Sequence, residues 1–130
     1  EAYYPGPDTR VRRFEYRKDG FVSLRAGAKG GVLITKPIKL GRLAERLTLN
    51  YKTAEDGQVR IGLFTPDYQP IPGHTLADCK PLIGDRLNQT IAWKSGPDIS
   101  SLRRKHPIVS LRIEAKNADV FALQFQPWLR

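Results

Sequence analysis

The stretch QVRIGLF sets Val59, Ile61 and Leu63 on one side of an extended chain, with Arg60, Gly62 and Phe64 on the other. Strict alternation of this kind is the period of a β-strand with one buried face. It recurs in RLTLNYK, where Leu47, Leu49 and Tyr51 oppose Thr48, Asn50 and Lys52. In PIVSLRIEA it turns Val109, Leu111 and Ile113 inward and Ser110, Arg112 and Glu114 outward. In ADVFALQFQ it sends Phe121, Leu123 and Phe125 to the core. Shorter runs, RVRRFEYR, FVSLRA, VLITK and QTIAWK, bring the expected total to about eight strands. Register matters here, because a one-residue slip would send Arg60 and Arg112 into the core.

The punctuation between the runs suits antiparallel neighbours. Asp19-Gly20 and Asp56-Gly57 are expected to close two-residue hairpins, since both central residues of that turn need φ > 0. Lys116-Asn117 is expected to turn the chain between the last two strands. Two short segments carry helical signals. KLGRLAERL spaces Leu40, Leu43, Ala44 and Leu47 for a turn or two, and DISSLRRK suggests one turn capped by Asp98. The expected fold is all-β: an antiparallel two-sheet β-sandwich with jelly-roll topology, and a closed barrel as second choice. Residues 1–130 form one domain in this reading, with 1–10 extended against its body. The chain has no methionine, so Glu1 is not a translation start, and a processed or excised piece of a longer protein is expected.

One segment looks chemical at first sight. PIPGHTLADCKPLIGD packs His74, Asp78 and Cys79 together, and Cys79 is the chain's one cysteine. A thiol nucleophile needs a positioned base, and zinc needs three or four ligands at characteristic spacing. Neither pattern is present. Cys79 is therefore expected to be a small buried residue, Asp78 a turn cap, and His74 exposed on the loop after Pro72-Gly73. G-x-S-x-G, H-E-x-x-H and P-loop motifs are missing, so no catalytic residue is assigned. No cofactor is expected beyond an optional structural Ca²⁺, for which the turn carboxylates Asp19, Asp56, Asp67, Asp98 and Asp119 would supply oxygens.

Charge carries more information. Lys and Arg total 22 against 13 Asp and Glu, for a net charge of +9. A surface this basic meets polyanions. The strand phase puts Lys52, Arg60 and Arg112 on outer faces, and Arg25 in VSLRA is expected to join them. Trp93 and Lys94, in AWKSG, would add a ring for a sugar to stack on and a neighbouring cation, although a core tryptophan is an equal reading. Two further basic groups are RRKH at 103–106, expected on a loop, and Arg10, Arg12 and Arg13 beside Tyr3 and Tyr4 near the N-terminus.

The motifs RKDGFVSL, GGVLITKPI, LTLNYKT, GQVRIGLF, PIPGHTLADCKPLIGD, WKSGPDISSL and PIVSLRIEAKNADVFALQF follow one another from Arg17 to Phe125. As a set they resemble a C-terminal β-sandwich domain of bacterial multi-domain glycoside hydrolases, whose catalytic domains are β-propellers or sialidase-like. The segment LRRKHPIVSL departs from that pattern, where a small residue and a glycine are expected before the strand. The resemblance implies a non-catalytic carbohydrate-binding module, secreted or periplasmic, tethered to a catalytic glycoside hydrolase domain in the same parent chain. Combined with the charge, it gives an acidic polysaccharide, sulfated or uronic, as the expected partner. Arg25, Lys52, Arg60, Trp93, Lys94 and Arg112 are the expected contacts, with no membrane partner. The alternatives are a structural accessory sandwich that binds no sugar, and a basic nucleic-acid-binding domain, which no recognition motif supports.

Overall fold

The structure is a computed structural model that describes residues 13–16 and 22–128. Seven strands and one short helix follow in the order β1 (Arg13–Tyr16), β2 (Val22–Ala26), β3 (Gly31–Ile34), β4 (Ile38–Lys39), β5 (Arg46–Phe64), β6 (Asp85–Thr90), α1 (Leu102–Lys105) and β7 (Ile108–Gln126). Every strand pairing is antiparallel. The sheet order is β1-β2-β7-β5-β6, with β3 and β4 also on β7, so the expected antiparallel sandwich is the fold. The pairing of β1 with β2 matches the expected first hairpin, but its Asp19-Gly20 turn lies outside the described residues. So do the extended segment 1–10 and the Tyr3, Tyr4, Arg10 and Arg12 group.

Two expected reversals do not occur. β5 and β7 are each 19 residues long and pair along nearly their whole length, from Arg46↔Gln126 to Phe64↔Ser110. Asp56-Gly57 therefore closes no hairpin. The register jumps from Thr53↔Ala118 to Gln58↔Lys116, so residues 54–57 bulge from β5 opposite Asn117. Asn117 takes a left-handed φ of 46°, and its Nδ2 donates to Asp56 Oδ1 at 3.1 Å. A bulge inserts residues into one strand and bends it without reversing it. The result is one pair of long strands serving both halves of the sandwich. Residues 46–53 of β5 lie between β6 and the half of β7 that carries β2, while residues 58–64 face the half that carries β3 and β4.

The predicted inward faces hold in β5 and in the first half of β7. Leu47, Leu49, Tyr51, Val59, Ile61, Leu63, Val109, Leu111 and Ile113 are all buried. The second half of β7 departs. The pairing steps from Asn50↔Ala122 to Tyr51↔Val120, which makes Phe121 the bulge residue. Leu123 and Phe125 keep the expected side and pack on the core, but beyond the bulge Val120 and Ala118 are buried in place of Phe121. Long connections at 65–84 and 91–107 contribute Ile71, Cys79, Leu82, Ile91, Trp93, Ile99 and Leu102 to the same core.

The helical signal at KLGRLAERL yields a turn at Arg42-Leu43 instead. Leu40, Ala44 and Leu47 are buried there, while Leu43 is left exposed. The second signal is one helical turn, α1, but its N-cap is Ser101. Asp98 Oδ1 accepts from Ser100 N at 2.8 Å and so shapes the loop before the helix. The strand expected at QTIAWK begins earlier, as β6 at DRLNQT, an edge strand with four exposed residues and no alternation to betray it.

Gly57 measures how tight the bulge is. A Cβ there would stand 2.2 Å from the Asn117 carbonyl oxygen and 2.7 Å from that of Lys116. Gly57→Ala should destabilise the domain by about 1–3 kcal/mol in urea unfolding, the usual cost of overpacking. Gly41→Ala, where a Cβ meets nothing within 4 Å, should stay within about 0.5 kcal/mol of the parent.

Candidate functional site

The segment that looked most chemical closes the free edge of β5. Residues 59, 61 and 63 give their backbone groups to the side away from β7, and each finds a partner in the long connections. Val59 exchanges two hydrogen bonds with Leu82, at 3.0 and 2.9 Å. Leu63 N donates to the His74 carbonyl at 2.8 Å, and Ile71 N donates to the Leu63 carbonyl at 3.0 Å. Between them Ile61 N donates to Cys79 Sγ at 3.4 Å, while Trp93 Nε1 donates to the Ile61 carbonyl at 2.9 Å. Cys79 is buried as expected, and burial pushes its thiol pKa up, away from the reactive thiolate. Asp78 accepts from Thr75 N and Thr75 Oγ1, a turn cap as expected. Those bonds hold its pKa below the usual value.

Two expectations fail here. Trp93 is 1% exposed, because its indole completes the ladder at Ile61, so it offers no ring to a ligand. His74 is buried as well. Its carbonyl anchors the loop to Leu63, and its ring lies 5.1 Å from Trp93. Nε2 is 3.5 Å from Ser95 Oγ.

The predicted cations separate into two grooves on the outer face of the β5–β7 pair. The first, of about 340 Å³, lies between β3, β5 and β7 and brings together Arg60, Arg112, Lys29 and Lys116. Glu114 also lines it and stands directly opposite Arg60 in the ladder. Its Oε2 nevertheless accepts from Arg112 Nε at 2.8 Å, and Arg112 Nη1 donates to Tyr68 Oη at 2.8 Å. These bonds, the one to Tyr68 foremost, raise the Arg112 pKa further. Arg60 Nε is buried with no partner among the described residues. The second groove, of similar volume, holds Arg25, Lys52 and Asp119. There Arg25 Nε donates to Asp119 Oδ1 at 2.9 Å, which balances much of the local charge. Lys94 belongs to neither groove. It is exposed on the turn from Trp93 to Gly96, with its N–H on the Asp78 carbonyl.

Two cations of the first groove were not singled out from the sequence. Lys116 follows from the outward phase of Arg112 and Glu114. Lys29 does not, since only the pairing of β3 with β7 brings its loop across. Tyr68, bonded to Arg112 beside the groove, was not singled out either; it is 37% exposed, with its ring stacked on Phe64 at 4.4 Å and 9°. Its φ of 64° is a left-handed conformation that costs a non-glycine residue about 1–2 kcal/mol. The turn imposes it: Tyr68 N donates to the Thr65 carbonyl at 2.8 Å, and Gln69 N donates to Thr65 Oγ1 at 2.9 Å.

No three potential metal-ligating side chains cluster among the described residues. Asp56, Asp67, Asp98 and Asp119 are each engaged locally, with Asn117, Thr65, Ser100 and Arg25.

The described residues thus form an antiparallel β-sandwich with a basic outer face. A solved structure similar over nearly the whole chain is CsCBM6-3 from Clostridium stercorarium, in complex with cellobiose. The two share 12% identity over 95% of this chain and 86% of that one, with a TM-score of 0.57, and at that identity the likeness establishes the fold. No family model matches the chain, and no curated protein matches it.

Two outcomes test this edge. Trp93→Phe should cost about 1–3 kcal/mol in urea unfolding, since it leaves the buried Ile61 carbonyl unpaired. The second concerns pH. Burial is the largest influence on His74 and lowers its pKa below 6.5; a hydrogen bond with the Pro72 backbone and the charge of Asp78 oppose this, and His106 adds to it. A neutral buried imidazole contributes stability that is fully present above pH 6.5 and is lost as pH falls below it, because the unfolded chain takes up the proton first. The thermal midpoint should decline over that range, and His74→Gln should flatten the decline.

Proposed function

We propose that this chain is a non-catalytic carbohydrate-binding module for an acidic polysaccharide. The observation that carries the sugar reading is the whole-length likeness of its sandwich to a module solved with cellobiose. The acidic preference is supported by the net charge of +9 and by the first groove, where four cations surround one carboxylate. Tyr68, exposed beside Arg112, supplies the aromatic surface that Trp93 does not, and an aromatic face next to cationic donors suits a charged sugar ring. Arg25 and Lys52 extend the basic face toward β2. In this reading the module is secreted or periplasmic and keeps an attached glycoside hydrolase domain on its substrate.

Affinity electrophoresis tests the reading. The protein should be retarded in gels containing carrageenan, alginate, ulvan or glycosaminoglycan, and less so as salt rises toward about 1 M, where screening shortens to about 3 Å. Retardation only by neutral glucans would move the specificity to uncharged sugars. Migration unaffected by every glycan would overturn the proposal and leave a structural accessory domain.

A further inference from the structure

We infer that the groove between β3, β5 and β7 is a subsite for a tetrahedral oxyanion ester, a sulfate in preference to a uronate carboxylate. The inference rests on the carbohydrate-binding reading for the glycan that carries the ester. Its argument starts from what the two arginines have left to give. A planar carboxylate is best held side-on, by two parallel N–H bonds from one guanidinium fork. At Arg112 the Nε edge is taken by Glu114 and Nη1 is taken by Tyr68. At Arg60 the Nε edge is covered by the protein, so a ligand cannot reach it side-on. The side-on edge is closed at both arginines, and the end-on pair of terminal nitrogens stays whole at Arg60 alone. The groove still offers the remaining terminal guanidinium nitrogens and the ammonium groups of Lys29 and Lys116, which come from β5, β7 and the loop before β3. Donors arriving from three separate elements suit three oxygens spread around one centre better than two oxygens in a plane.

Charge balance points the same way. Glu114 faces Arg60 across the ladder but is committed to Arg112, which leaves Arg60 without a counter-ion among the described residues. Arg60 Nε has given up its hydration without gaining a partner among the described residues, and a bound oxyanion would supply the missing counter-charge. In the neighbouring groove Asp119 already neutralises Arg25, so the same ester should select the first groove. Glu114 then sets the strength of the site, since it competes with the ligand for Arg112. Gly30, at φ 82°, and Gly31 form the lip beside Lys29 and keep side chains off that approach.

Titration calorimetry at low salt, with a sulfated galactan, its chemically desulfated form and alginate, tests this. The sulfated polymer should bind at least about tenfold more tightly than either of the others, the order expected for hydrogen bonds to charged groups. Arg60→Gln should lose about that factor for the sulfated polymer alone. Glu114→Gln should gain affinity, an effect that a merely structural role for Glu114 would not produce and that stands even if Arg60→Gln folds poorly. Lys80→Gln, which removes the same charge from an exposed loop position, should stay close to the parent protein. A phosphomannan that binds like the sulfated galactan would support the oxyanion geometry and widen the ester class to phosphate. Equal binding of alginate and sulfated galactan, or an Arg60→Gln protein that binds like the parent, would overturn the subsite while leaving carbohydrate binding intact. Failure of all three polymers to bind would count against the carbohydrate reading itself.

Discussion

Everything in this domain hangs on the free edge of β5. Its other edge is sealed by a ladder to β7 that runs almost end to end. Strand β6 covers only residues 48–52 of the free edge, so Val59, Ile61 and Leu63 would leave six buried backbone groups without partners. An unmade hydrogen bond of that kind costs about 1–3 kcal/mol apiece. The connection 65–84 prevents it by running alongside as an irregular strand, and at Ile61 two side chains stand in for a missing backbone. Cys79 Sγ accepts from the N–H, and the Trp93 indole donates to the carbonyl. Cys79 and Trp93 are brought together by their own short antiparallel bridge. The cysteine, the histidine and the tryptophan are thereby committed to the fold, which leaves the opposite side of β5 to present charge.

That commitment explains how the domain can be so basic without strain. Core and basic face are the two sides of the same strands. Each inward Val59, Ile61 or Leu63 is followed by an outward position, and the outward positions carry Lys52, Arg60 and Arg112. Strand pairing then does what sequence spacing cannot. It sets Arg112 two rungs from Arg60, draws Lys29 across on the β3 side, and leaves Glu114 serving one arginine and not the other. The bulge at 54–57 divides the outer face into two grooves, one nearly balanced and one with excess positive charge.

Much of this was legible in the chain. Alternation alone assigned the buried faces of β5 and the first half of β7, because a strand with one face in the core has no other way to be written. It failed where the period is interrupted. Phe121 sits on a bulge beyond which Ala118 and Val120 take the buried side, and no residue type marks such a bulge. Asp56-Gly57 reads as a hairpin because the same glycine that permits φ > 0 also permits the close approach of the Asn117 carbonyl, which is the role it has here. β6 shows no alternation because an edge strand with neither face fully covered needs none. Of the expected contacts, Arg25, Lys52, Arg60 and Arg112 lie on the grooved face, Lys94 stands apart, and Trp93 was drawn inside. Tyr68 was invisible because its exposure depends on a left-handed turn at TPDYQ.

The central claim is that the outer face of β5 and β7 is a ligand surface and that the closed edge is scaffold. Backbone amide shifts followed by NMR during titration with a sulfated galacto-oligosaccharide would test it most directly. The account predicts changes gathered at residues 29–32, 58–62 and 112–116, with Tyr68 among them and residues 76–82 unmoved. Changes centred on the 76–82 connection or on β6, or none at saturating oligosaccharide, would contradict it.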